Sequence, residues 1–378
     1  MPNTPHQTSH STIHSQLKTL RLCGSVFANQ RYGGVSRYLV ELAKGVAATA
    51  DWNVQLDALL YSNAYLRDAA KALQHPGVHV NRRPRGLSQI NHIACRLANS
   101  TVRTAPDIIH EGFFESGNLQ KKSIPRVASF YDMISEKFMN DLSMRDAKLQ
   151  TVQESDKLIA ISESTKRDMV DLLSIDPQKI EVIYLATDMK RQSQRFPLDS
   201  NAPYILWVGN RNGYKNFKTF VEGFAMTRNV RADLQVVCAG GPPLQPHELE
   251  HWNQHRLNPD RMTHVQPSEQ ELAMLYGHAE MLIYVSKYEG FGIPPLEAMA
   301  CGCPVIASDT SSIPEVTGDA AVLVDPTDSE AVAHSMERVW EDREYRGRLI
   351  EAGDHRVRLF TWDRCVEKHL ELYSSLVA

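Results

Sequence analysis

The sequence predicts an α/β protein of two doubly wound domains that face each other across a central cleft. Three observations carry this. The chain has 378 residues, too many for one ordinary α/β domain and enough for two. Short apolar runs rich in Val, Ile and Leu alternate with amphipathic stretches along its length, the pattern of strands and crossover helices in a parallel sheet. A polar stretch without periodicity at 189–203, containing Pro197 and Pro203, divides that alternation in two.

Taken in order, residues 1–18 read as a disordered tail. They have no basic start and no apolar run, so they do not resemble a signal peptide. The first domain is expected at 19–190, with apolar runs at 20–27, 54–61, 107–110, 126–130, 157–161 and 180–184. A linker covers 191–203. The second domain is expected at 204–360, with runs at 204–208, 234–238, 262–265, 281–285 and 304–307. Helical periodicity lies between the runs, for example at 35–47, 216–227 and 269–278. Phe360-Thr361-Trp362-Asp363 opens a last amphipathic helix within 361–378.

Composition excludes several classes. Hydrophobic residues make up 42% and charged ones 23%, which suits two buried cores without staples. The 6 cysteines are scattered, so a disulfide framework is not expected and a reducing, cytoplasmic setting is. No apolar run approaches the roughly 20 residues of a membrane span. Net charge is −4, with a basic first half and an acidic second half. Arg82, Arg83 and Arg85 form the densest basic patch, suited to phosphate or to an anionic membrane surface met peripherally. Nothing points to nucleic acid.

The strongest chemical signal runs from Tyr288 to Gly302, YEGFGIPPLEAMACG, directly after an apolar strand. Gly290 and Gly292 open the backbone where the strand ends. Pro294 and Pro295 suit the first turn of a helix, whose free amides make an anion site. Glu289 precedes that helix and Glu297 lies about one turn inside it. Two acids beside an anion-binding turn can take sugar hydroxyls while the amides take phosphate. This motif, with its paired glutamates and the following Gly302-Cys303-Pro304-Val305-Ile306-Ala307-Ser308, closely resembles the retaining GT-B glycosyltransferases of glycosyltransferase family 4. Within that family, Gly213-Tyr214-Lys215-Asn216 and Tyr131-Asp132-Met133 resemble segments of bacterial polysaccharide mannosyltransferases.

The resemblance covers about residues 20–376 and implies the GT-B fold, two Rossmann-like domains with the donor mostly on the second. Tyr32-Gly33-Gly34-Val35-Ser36-Arg37-Tyr38 looks like the family's glycine loop against the donor diphosphate. Val208-Gly209-Asn210-Arg211-Asn212-Gly213-Tyr214-Lys215 looks like its phosphate-neutralising loop. Lys215 stands where the family has its lysine, and Arg211 stands one step beyond the usual arginine. Asp132, after Phe130-Tyr131, is a candidate near the donor sugar, and Tyr131 replaces the histidine of many relatives. The same aspartate also suits a helix N-cap. By resemblance, Glu289 positions the sugar, Glu297 the ribose, and Gly290, Phe291 and Gly292 the phosphate. The last helix is implied to cross back to the first domain, with Trp362 as packing. Glu315, in the loop after the Val305 strand, reads as structural.

His110 and Glu111 end a first-domain strand and are expected to face the cleft, with Phe113 and Phe114 as an acceptor floor. There is no Asp-x-Asp triplet and no clustered His/Cys set. No metal cofactor is therefore expected, and helix amides, Lys215 and Arg211 would carry the diphosphate charge. The function so implied is metal-independent, retaining transfer of a hexose from a nucleotide-sugar donor to a glycan or lipid-linked acceptor. GDP-mannose is favoured, and UDP-glucose and related donors stay open. The alternative is a non-catalytic nucleotide-sugar-binding subunit of a glycan assembly system. A dinucleotide oxidoreductase is disfavoured, because no Gly-x-Gly-x-x-Gly follows a strand with an acid about 20 residues on.

Overall fold

The computed structural model describes residues 17–377 apart from 82–83, 102, 113–122, 140 and 199–201. The tail at 1–16, Arg82, Arg83, Phe113 and Phe114 lie outside the described residues. Two large sheets dominate. The first contains β1 (Lys18–Cys23), β2 (Trp52–Leu56), β3 (Ile108–Glu111), β4 (Arg126–Phe130), β5 (Lys157–Ala160) and β6 (Ile180–Val182). The second contains β7 (Tyr204–Val208), β8 (Gln235–Ala239), β9 (Met262–Val265), β10 (Met281–Tyr284), β11 (Val305–Ser308) and β12 (Ala321–Val324). Their spatial orders are β2-β1-β3-β4-β5-β6 and β9-β8-β7-β10-β11-β12, and every pairing is parallel.

The strands are apolar on both sides because helices cover both sheet faces. Leu20 pairs with Val54 and Ile108, and Leu22 with Leu56 and His110, so register sets whole rows of core. Each sheet carries a hydrophobic core on each face. In each sheet the order reverses beside the first strand, at β1/β3 and at β7/β10. Those reversals open a crevice beyond the carboxyl ends of the strands, where doubly wound sheets bind ligands.

Several contacts hold the two domains together around that crevice. Phe291, Leu296 and Val316 of the second domain join the first domain's core. The Tyr288 hydroxyl donates to Asp168 at 2.7 Å and accepts from the Met133 amide at 3.2 Å. The Glu315 carboxylate accepts from the amides of Glu163 at 2.6 Å and Ser164 at 3.2 Å, the start of the first-domain helix Glu163–Leu173. The helix Trp362–Leu376 lies against Gly34–Ala47 of the first domain. Gly45 makes this approach possible, since a Cβ there would stand 2.3 Å from Val366.

Candidate active site

The crevice is a cavity of about 630 Å³ lined by both domains. Its first-domain wall begins at Gly33-Gly34, between the short helix Val26–Asn29 and the long helix Gly34–Ala47. The Arg37 amide is the first to find an intrahelical acceptor, Gly33 O at 3.0 Å. The amides of Gly34, Val35 and Ser36 therefore form an open helix end, and Gly33, Gly34 and Val35 line the cavity. Gly34 also packs against the other domain, where its Cβ would lie 3.1 Å from Ile293.

The second-domain wall is built by the motif after β10. Gly292 adopts φ 115°, a left-handed conformation that a side chain resists, and starts the helix Ile293–Ala300. A Cβ on Gly290 would sit 1.8 Å from the Tyr131 carbonyl oxygen, so only glycine lets the motif meet the first domain here. Hydroxyls hold the loop: Ser311 accepts the Glu289 amide at 2.9 Å, and Ser312 donates to the carbonyls of Glu289 and Phe291 at 2.9 and 2.8 Å.

Lys215 arrives from the loop after β7. Gly213 and Asn216 both have left-handed backbones, at φ 54° and 65°. The buried Asn216 side-chain amide donates to the carbonyls of Val285 at 2.9 Å and Pro326 at 2.6 Å, which fixes the turn. Lys215 Nζ then pairs with Glu289 Oε1 at 2.7 Å, over the faces of Tyr214 and Tyr284. Across the cavity, Asp132 Oδ1 accepts from the Ile134 amide at 2.9 Å. Burial pushes its carboxyl above the usual carboxylate range, with the Glu289 charge adding to the shift.

Glu297 sits deeper. Its Oε2 accepts from the Tyr276 hydroxyl at 3.2 Å, and its Oε1 stands 3.6 Å from Arg37. Burial raises its pKa to about 7, against the pull of Arg37. Arg37 also meets Glu269 at 2.8 Å and pairs with Asp188. These three carboxylates outweigh burial and raise the Arg37 pKa, so the guanidinium stays charged. The cavity therefore joins two cations, Lys215 and Arg37, an open helix end and four carboxylates, Asp132, Glu269, Glu289 and Glu297, in one space. That arrangement matches a diphosphate flanked by hydroxyl-rich groups.

Two family models match the chain: "Glycosyltransferase Family 4" over residues 32–191 and "Glycosyl transferases group 1" over residues 188–356. Together they span both domains. The chain is also 25% identical to a D-inositol 3-phosphate glycosyltransferase of Salinispora tropica, over 92% of this chain and 82% of that one. It is 37% identical to O-antigen chain mannosyltransferase B of Escherichia coli, over 29% of this chain and 28% of that one. This protein is a family-4-like GT-B glycosyltransferase. Solved structures share the glycosyltransferase's fold. A sucrose-phosphate synthase from Thermosynechococcus elongatus superposes with a TM-score of 0.72 at 21% identity, over 95% of this chain and 99% of that one. Anabaena HepE in complex with UDP and glucose gives 0.72 at 15% identity, over 95% and 100%.

The glycosyltransferase's cleft brings together Gly33, Gly34, Asp132, Lys215, Glu289, Gly290, Phe291, Gly292 and Glu297. Arg211 departs from expectation. Its guanidinium is buried inside the second domain, donating to Glu248 at 3.0 Å and to the Pro242 carbonyl at 2.5 Å, and it does not line the cavity. The loop turns inward at that residue, which puts its side chain in a core ion pair with Glu248. His110 also departs. It is fully buried, with Nδ1 2.6 Å from the Tyr373 hydroxyl and Nε2 2.8 Å from Ser129 Oγ, because helices cover β3 on both faces. Glu111 is buried against Arg126 at 3.0 Å. Trp362 packs on the first-domain core and also lines the cavity.

Sequence reasoning gave no role of their own to Arg37, Tyr276 and Asn216. Arg37 had a signal, since it lies one turn into the helix that the glycine loop opens. Tyr276 had none, because its contact with Glu297 joins two helices brought together only by the fold.

Proposed function

We propose that this glycosyltransferase transfers a hexosyl group with retention, without a metal on the diphosphate, from a nucleotide-sugar donor to a glycan or lipid-linked acceptor. The observation that carries the reading is the Lys215–Glu289 pair, 2.7 Å apart beside an open loop at the cavity. Breaking the donor's glycosidic bond leaves negative charge on phosphate and an oxocarbenium-like sugar. Lys215 and the amides near Phe291 and Gly292 meet the first charge. Glu289 meets the sugar, and Glu297 the ribose. Transfer on one face assisted by the departing phosphate needs no covalent nucleophile from the protein.

GDP-mannose is the proposed donor. The similarity to an Escherichia coli O-antigen mannosyltransferase supports it; the fold likeness to a protein solved with UDP and glucose keeps UDP-hexoses in the test. The deciding experiment screens sugar nucleotides in excess EDTA and reads the new anomeric centre by NMR. Turnover of GDP-mannose to an α product is expected. Activity that vanishes in EDTA and returns with magnesium or manganese overturns metal independence, a β product overturns retention, and turnover of UDP-hexoses alone overturns the donor.

A peripheral membrane contact belongs to the same proposal, as does the cytoplasmic setting. No helix among the described residues is long and apolar enough to cross a membrane. The helix Leu87–Thr101 follows exposed Arg85 and presents Ile90, Ile93 and Leu97 to solvent, 52%, 60% and 62% exposed. Such a face suits an anionic surface. Binding to anionic vesicles that weakens as salt rises is expected; binding indifferent to salt would remove the electrostatic component.

A further inference from the structure

On the outer side of the second domain, away from the cleft, two helices lie together: Phe217–Met226 and Pro246–Gln254. Phe224 of one stacks on buried Trp252 of the other, with ring centroids 5.5 Å apart. That contact sets what stands beside it. Glu222 lies two positions before Phe224, and His251 directly precedes Trp252. His255 caps the same helix one turn on. The donor atoms of Glu222, His251 and His255 lie within 4.8 Å of one another, and the two imidazole rings are 4.7 Å apart at 79°. Among the described residues this is the one such gathering of three His, Cys, Asp or Glu side chains. None of the three lines the active-site cavity.

A second observation points to a ligand. His251 Nε2 is buried without a hydrogen-bond partner. With the proton on Nδ1, the Nε2 lone pair is open to a cation, the form in which imidazole ligates metals. Lys218 Nζ approaches one Glu222 oxygen at 3.7 Å and competes for it; it is itself largely exposed, and the second oxygen remains.

We propose that Glu222, His251 and His255 form a divalent-metal site of zinc type that clips these two helices together, leaving a fourth position to water. Two imidazoles and one carboxylate select zinc, or nickel and copper, over magnesium and calcium. Ligand atoms about 3.4 Å apart surround a tetrahedral zinc at its usual bond lengths. Closing from the present spacing takes small side-chain rotations at half-buried positions. The site lies outside the cleft, so it supplies no step of sugar transfer.

The test uses the full chain, stripped with chelator, dialysed and titrated with zinc chloride. Calorimetry is expected to show one tight equivalent, and the melting temperature to rise with zinc and not with magnesium. The double variant H251A/H255A is expected to lose that rise and bind about a hundredfold more weakly or worse. Equal zinc binding and equal stabilisation in variant and parent overturn the proposal. If the double variant does not fold, Glu222→Gln and cobalt(II) replace it. Intense visible absorption from tetrahedral cobalt in the parent, weakened in Glu222→Gln, supports the site, and its absence in the parent overturns it. Initial rates well below the melting temperature are expected to be the same with and without zinc, whereas a metal acting on the donor would change them.

Discussion

Arg37 and Tyr38 are neighbours on one helix and serve two different polar regions. Arg37 faces the cleft, among carboxylates that line an open cavity. Tyr38 faces inward, to a closed network: its hydroxyl meets Ser129 at 3.0 Å and His369 Nε2 at 2.6 Å, while His110 bridges Ser129 and Tyr373. Arg211 with Glu248 is a second buried pair outside the cleft, with Arg211 Nη1 left without a hydrogen-bond partner. Both kinds of region contain buried ionisable groups. They differ in where the hydrogen bonds end. In the closed networks they end on one another and hold the last helix or a loop in place. In the cleft they end at a space that a ligand can fill. Burial of polar groups is thus no mark of a site by itself.

The sharpest way to break this contrast is Arg211→Ala. Removing one partner of a buried ion pair typically destabilises by about 3–5 kcal/mol. We expect that loss in chemical denaturation, with nucleotide affinity of the folded variant unchanged by calorimetry. A stable variant that binds nucleotide poorly would return Arg211 to the phosphate site.

Within the cleft, Glu289→Ala and Glu297→Ala are expected to separate. A hydrogen bond to a charged group contributes roughly 1.5–3 kcal/mol, a tenfold to hundredfold effect. In its proposed role Glu289 meets a sugar that changes on the way to the transition state, so its loss is expected in kcat. Glu297 in its proposed role meets a ribose that does not, so its loss is expected in nucleotide affinity. The reverse pattern in steady-state kinetics and calorimetry exchanges their roles, and no effect of either removes the motif from the active site.

His110→Ala probes the closed network directly. It leaves two buried hydroxyls short of a partner, a destabilisation of about 1–3 kcal/mol. We expect a lower melting temperature with kcat/KM unchanged for any acceptor. An acceptor-specific loss would restore His110 to the cleft.

The smallest effect near neutrality is the pH response. Burial lowers the His110 pKa well below its ordinary value and that of His369 to about 4. The unfolded chain therefore takes up these protons first. Stability from the neutral rings is complete above about pH 6.5 and is lost as pH falls towards 4. Glu297 runs the other way. Its folded pKa of about 7 lies above the unfolded value, so its contribution is complete below about 4.5 and is lost as pH rises through 7. Glu297→Gln is expected to flatten the alkaline limb of a stability-against-pH curve and leave the acid limb. An unchanged alkaline limb would move that titration elsewhere.

Much of the cleft was legible because its signals are local. A strand, two glycines and a Pro-Pro helix start within a dozen residues state their own geometry. So do the glycine loop before Arg37 and the turn before Lys215. The misreadings share a cause. Whether Arg211 turns outward, or His110 ends its strand in solvent or under a helix, depends on elements far along the chain. The Glu222–His251–His255 cluster was invisible for the same reason, although His251 and His255 stand at helical spacing. Sequence shows the pair; only the packing of Phe224 on Trp252 brings the carboxylate to it.

Glu315 gives the domain junction a polarity of its own. The first-domain helix Glu163–Leu173 has its own serine cap, whose Oγ accepts from the Thr165 amide at 2.9 Å. The two amides before Thr165 are completed by a carboxylate lent from the other domain. Separating the domains therefore unfinishes a helix as well as parting two surfaces. The strength of that fastening follows the charge on one acid and the dipole of one helix, and so weakens with ionic strength. The junction is tied in this way to the salt around it, one residue from the Thr165 hydroxyl that donates to the Gly290 carbonyl at 3.2 Å.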